Sequence, residues 1–147
     1  MNIMLSKPLA KTYPAIFHPE ADGGYFIEFP DFQGAYTRID EENISHGIAM
    51  AEHALGMVLA DFLEHNEPLP EPTPINKISV KEDSFTTLIR VDVAIYLRDT
   101  ELIKKTLTIP KWADKLGRQA DINFSELLTE AIAEKANDIF VTKKSVQ

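Results

Sequence analysis

Four histidines, 23 carboxylates and no cysteine bound the chemistry open to this 147-residue chain. Without thiolates there is no cysteine nucleophile, no disulfide framework and no thiolate zinc site. The histidines, His18, His46, His53 and His65, do not form a metal cluster: His46 and His53 could share a helix face, but two turns separate them by about 10 Å, too far for one ion. A Ser/His/Asp nucleophile has no Gly-x-Ser-x-Gly to sit on, and Gly23-Gly24 reads as a hairpin turn, not as a phosphate loop. Glu28, Asp31 and Asp40 could hold two Mg²⁺ ions for phosphodiester cleavage only if separate elements made them converge. No metal or other cofactor is expected, and catalysis is the least favoured class. The remaining chemistry is recognition. Lys104, Thr106 and Thr108 alternate with Leu107 and Ile109, so an extended chain would show donors on one side and apolar groups on the other.

The elements that must position these groups fall into two sets. Thr12 to His18, a turn at Asp22-Gly23-Gly24, and Tyr25 to Phe29 predict a hairpin. A second turn at Pro30 to Gly34 leads to a third strand over Ala35 to Ile39. Asp40 is the expected N-cap of a helix over 41–64, with Glu41 and Glu42 at the positive end of its dipole. Ile44, Ile48, Ala51, Leu55, Val58, Leu59 and Phe62 form its apolar stripe, which Gly47 and Gly56 each weaken by about 1 kcal/mol. Four prolines between Pro68 and Pro74 impose a stiff connector. Beyond it come a short strand at Lys77 to Val80 and an alternating one from Phe85 to Leu97 that closes the sheet.

From Leu102 the pattern is a strand over Lys104 to Ile109, Pro110 as a helix opener, a helix over Lys111 to Ala120 and a second over Phe124 to about Asp138. A frayed tail follows from Thr142 to Gln147. Asn123 with Glu126 resembles a capping box. A lone six-residue strand leaves its backbone donors and the Leu107 and Ile109 side chains in water, so it needs a second copy. Two copies would make an antiparallel ribbon over four helices, with Leu107, Ile109, Trp112, Leu116, Leu127, Leu128 and Ile132 at the dimer interface. Lys104, Thr106 and Thr108 would then face a DNA major groove, and the helix N-terminus at Asn123, Phe124 and Ser125 a phosphate. Residues found coiled here, or paired only within their own chain, would remove the basis of that expectation.

Charge divides the same way. Residues 1–99 carry 16 acids against 7 Lys and Arg, a net −9, whereas residues 100–147 carry 7 against 8, a net +1. The acidic part suits a basic protein partner, and the other can approach phosphates. With no arginine on the ribbon, DNA binding should be salt-sensitive and cooperative, with avidity from paired dimers, so a tetramer is possible alongside the dimer. No run of about 18 apolar residues is present, nor a secretory signal, so a cytoplasmic protein is expected.

The strand-Pro-helix-turn-capped helix order of the last 40 or so residues resembles the ribbon-helix-helix family of dimeric DNA-binding repressors. Tyr13-Pro14-Ala15-Ile16-Phe17, the run Asp22 to Thr37, the acidic-headed helix and Leu69-Pro70-Glu71-Pro72 resemble the HicB antitoxins. The resemblance implies an α+β chain: a partial ribonuclease-H-like β-β-β-α-β domain over 1–99, then a dimerising β-α-α domain over 100–147. It also implies a HicA-type mRNA endoribonuclease toxin as bound partner and repression of the shared operator. Tyr36 departs from the small or polar residue common at its place, which would make partner specificity private. Asp22, Tyr25, Glu28, Asp31 and Tyr36 are the candidates for toxin contact. A stand-alone repressor with a ligand-sensing first domain stays open as the alternative, and behind it a metal-dependent ribonuclease.

Overall fold

In the computed structural model, which describes residues 9–146, one antiparallel sheet has the strand order β3-β2-β1-β4. Strand β1 (Ala10–Pro19) pairs with both β2 (Tyr25–Glu28) and β4 (Phe85–Asp92), and β3 (Tyr36–Ile39) takes the edge. The β1–β2 turn closes where Glu20 N donates to Gly24 O, Gly23 N donates to Glu20 O and the Asp22 carboxylate accepts from Gly24 N. Gly23 there has φ 97°, open to a residue without Cβ. The register puts odd-numbered residues of all four strands on one face. Tyr13, Ala15, Phe17, Ile27, Ile39, Ile89 and Val91 are buried there.

Helix α1 (Ile44–Glu64) covers that face with Ala51, Leu55, Leu59 and Ala60. Its cap is Asn43, not Asp40: the Asn43 Oδ1 accepts from His46 N at 3.1 Å, so Glu41 and Glu42 precede the helix. Ile44 is correspondingly exposed. The two glycines are part of the packing. A Cβ on Gly47 would lie 2.8 Å from the Phe17 ring, and one on Gly56 2.3 Å from the Tyr96 ring. The helix stops with Asn66 at φ 58°, as Asn66 N and Glu67 N bond back to Leu63 O and Phe62 O, and Pro68 follows.

The proline connector is pinned at two points. The Tyr13 hydroxyl donates to Pro70 O at 2.6 Å, and the Asp31 carboxylate accepts from the Thr73 N–H and hydroxyl. The short strand expected at Lys77 to Val80 does not form: a 3-10 turn occupies Ile75–Lys77 and no ladder follows until Phe85. Strand β4 also ends earlier than its alternation predicts. Asp92 accepts from Ala94 N and opens a 3-10 turn over Val93–Tyr96, so the side-chain period changes from two toward three. Val93 therefore stays buried while Ile95 is 72% exposed.

Helix α2 (Lys111–Gln119) follows Pro110, and α3 (Phe124–Val146) follows a turn through Asp121, φ 57°. Ile122 N bonds to Gly117 O and Asp121 N to Arg118 O, the same ending as α1. Gly117 is buried against the Phe124 ring, where a Cβ would come within 2.4 Å. The backbone of α3 is helical to Val146, past the expected end near Asp138 and through most of the expected frayed tail; Gln147 lies outside the described residues. The expected strand at Lys104 to Ile109 is corrected as well: residues 101–110 form neither helix nor ladder in the single chain. A strand is held by its partner, and this segment has none among the described residues.

Candidate functional site

Two surfaces hold most of the residues singled out from the sequence. The first is the sheet face turned away from α1, where the even-numbered residues lie. The register lines up Tyr36, Glu28, Ile16 and Thr86 across the four strands, and beside them Arg38, Phe26 and His18. Strand pairing thus brings Glu28 and Tyr36 together as direct cross-strand neighbours. Tyr36 is 63% exposed and its ring leans on Phe26, centroids 5.4 Å apart. The His18 ring stacks on the other side of Phe26. Its Nε2 lies 2.8 Å from the Glu28 carboxylate and its Nδ1 3.0 Å from the Ser84 hydroxyl, so Glu28 is held in place from β1 and from the β4 entry loop. Arg38 pairs with Glu20 at 2.9 Å.

The other three contact candidates are elsewhere. Tyr25 sits on the helix-covered face, edge-on to Phe17 and Phe85 at the rim of the core. Asp31 is engaged with Thr73, and Asp22 with the hairpin turn. The Tyr13 hydroxyl beside Asp31 is pushed well above the ordinary phenol range by burial, with the Asp31 and Glu71 charges adding to it, so it remains a donor to the connector. Sequence reading missed Phe26, His18 and Arg38. The period of two was the available signal, since it sets Phe26, and not Tyr25, beside Glu28. Glu28, Asp31 and Asp40 are not brought together, and among the described residues no group of three or more His, Asp or Glu is placed to hold a metal ion.

The second surface is C-terminal. Lys105, Leu107 and Ile109 line a groove of about 450 Å³ with Phe124, Leu127 and Leu128. Lys104, Thr106 and Thr108, the residues expected at base edges, are not among those that line it. At the start of α3, Asn123 Oδ1 accepts from Glu126 N at 3.1 Å, and the N–H groups of Phe124 and Ser125 precede the first intrahelical bond. The apolar groups here are open to solvent: Leu107 is 55% exposed, Trp112 67%, Leu116 56%, Leu127 50% and Ile132 56%, with Ile109 and Leu128 above a third.

Residues 13–132 match a family described as the HicB_like antitoxin of bacterial toxin-antitoxin systems. The chain belongs to that family. Among HicB relatives, it is 35% identical over 65 residues to Antitoxin HicB 1 of Photorhabdus laumondii, a stretch covering 44% of this chain and 41% of that protein. To Antitoxin HicB of Escherichia coli K12 it is 33% identical over 64 residues, 44% of this chain and 45% of that protein. The HicB-like chain therefore spans less than half the length of these curated relatives. A solved Toxin-Antitoxin complex from Streptococcus pneumoniae contains a chain 43% identical to it, covering 86% of this chain and 99% of that one, with a TM-score of 0.55. The Burkholderia pseudomallei antitoxin HicB shares the fold, with a TM-score of 0.53 at 19% identity over 85% of this chain and 98% of that one. Among the described residues, no helix of this HicB-like chain is long and apolar enough to cross a membrane.

Proposed function

We propose that this chain is the antitoxin of a type II toxin–antitoxin pair, acting by binding and not by catalysis. Residues 1–99, read as a partial ribonuclease-H-like domain, occlude a small basic HicA-type mRNA endoribonuclease. Residues 100–147, read as a ribbon-helix-helix domain, dimerise and repress the operator of the pair. The observation that carries the antitoxin reading is the likeness at 43% identity to a chain of a toxin–antitoxin complex, across 99% of that chain. The excess of acids over bases in residues 1–99 agrees with it.

For the operator function, residues 101–110 are coiled in the single chain, which removes the strand as its direct basis and leaves the ribbon as a structure that only two copies could form together. Three features support one formed between two copies: the backbone of 101–110 joins no ladder among the described residues, Lys105, Leu107 and Ile109 line the groove against α3, and the apolar faces of α2 and α3 lie open. On assembly, Lys104, Thr106 and Thr108 would meet base edges, and the amides of Phe124 and Ser125, fixed by the Asn123 cap, a phosphate. Co-expression with the product of the neighbouring open reading frame tests the first function, and an electrophoretic shift of the promoter fragment the second. Growth rescue and a salt-sensitive shift are expected. Failure of rescue refutes the antitoxin reading, and a monomer that shifts no DNA refutes the repressor reading.

A further inference from the structure

The open sheet face has an apolar centre and an acidic margin, and its charge selects one kind of occupant. Phe26 and Tyr36 lie in ring contact on β2 and β3 with Tyr36 largely in solvent. Next to Phe26, a cleft of about 520 Å³ is bordered by Glu20, Glu28, Glu82 and Asp83, against which stands Lys81. Arg38, across from Phe26 on β3, is held by Glu20. Carboxylates therefore outnumber cations around two aromatic rings, within a region of net −9. A nucleic acid backbone would be repelled there, whereas an arginine or lysine can lay its stem and charge on a ring face and reach a carboxylate beyond it. Glu28 suits this role because His18, anchored by Ser84, fixes its position before any partner arrives.

Resting on the antitoxin reading, we infer that this face is where the toxin docks, inserting a cationic side chain beside Phe26 and Tyr36 toward Glu28, Glu82 and Asp83. The covered face, the connector anchored by Asp31 and the hairpin tip at Asp22 are then supports and not contacts. Full-length protein and the product of the neighbouring open reading frame, measured by titration calorimetry, provide the test. Tyr36→Ser and Glu82→Lys both lie on exposed positions, and each is expected to weaken binding at least tenfold. Met57→Ser, on the outer side of α1, should leave it unchanged. Circular dichroism confirms that each variant is folded. If the unaltered protein fails to bind, the antitoxin reading falls. If it binds and both face variants bind as tightly, or if Met57→Ser is the one that weakens it, the inference falls and the reading stands. A labelled 12-nucleotide single-stranded RNA provides a second arm. No binding at 150 mM salt is expected, and binding that Tyr36→Ser abolishes would overturn the choice of a protein occupant.

Discussion

Single side chains in this chain do their work through one or two well-placed partners. His65 closes α1, with Nδ1 2.8 Å from the Asp61 carbonyl oxygen and 3.2 Å from its carboxylate. The carbonyl contact first, then the Asp61 charge, raises its pKa above the ordinary 6.5. Because the folded value is the higher one, its stabilisation is complete below the unfolded value and is lost as pH rises through the folded one. An NMR titration should place the His65 midpoint above 6.5, and Asp61→Asn should lower that midpoint without returning it fully, since the carbonyl remains. On the C-terminal surface, replacing Thr106 and Thr108 by Ala should weaken operator binding by roughly 1 kcal/mol per lost base contact, the low end for such contacts. Toxin neutralisation should be intact in a growth assay; its loss would show that the two tasks are not divided as proposed.

At the scale of elements, the sequence patterns located most helices and strands, and packing decided their limits. The stripe on α1 was legible from Ala51, Leu55 and Leu59, all buried. The purpose of its glycines was not, because a propensity scale records only their cost. Gly56→Ala should gain about 1 kcal/mol of helix propensity. The added methyl would lie 2.3 Å from the Tyr96 ring, and overpacking of that kind costs about 1–3 kcal/mol. A net loss of stability is expected on urea denaturation; a gain would mean that Tyr96 swings aside freely. Strand β4 was overextended for a related reason. Apolar residues continue to alternate through Leu97, but the Asp92 side chain, which stands opposite Ala10 in the ladder, captures Ala94 N, and the local cap outcompetes the alternation there.

For the whole molecule, the buried core lies between Tyr13 and Val93, so the first region holds its own hydrophobic interior. Truncation after Asp99 should therefore leave a folded monomer by light scattering that still binds the toxin and no longer shifts operator DNA. Full-length protein should run as a dimer or larger. An unchanged shift by the truncated form would remove the C-terminal region from operator recognition. The exposed Trp112, Leu116 and Ile132 give the reason to expect association, since an apolar surface of this kind costs free energy until it is covered.

The sequence alone determined the class of the molecule. Period two in β4, period near 3.6 in α1, the turn residues that bound β1 and β2, Asn123 before α3, four closely spaced prolines and the charge asymmetry are local or additive properties, readable without neighbours. The tertiary structure decided which side chains meet. Only strand pairing sets Tyr36 opposite Glu28, turns Tyr25 inward and occupies Asp31 with Thr73, because registry between distant segments depends on how the whole sheet buries its odd-numbered face. It also showed that Lys104 to Ile109 forms no strand by itself, since a backbone cannot complete a ladder without a second strand.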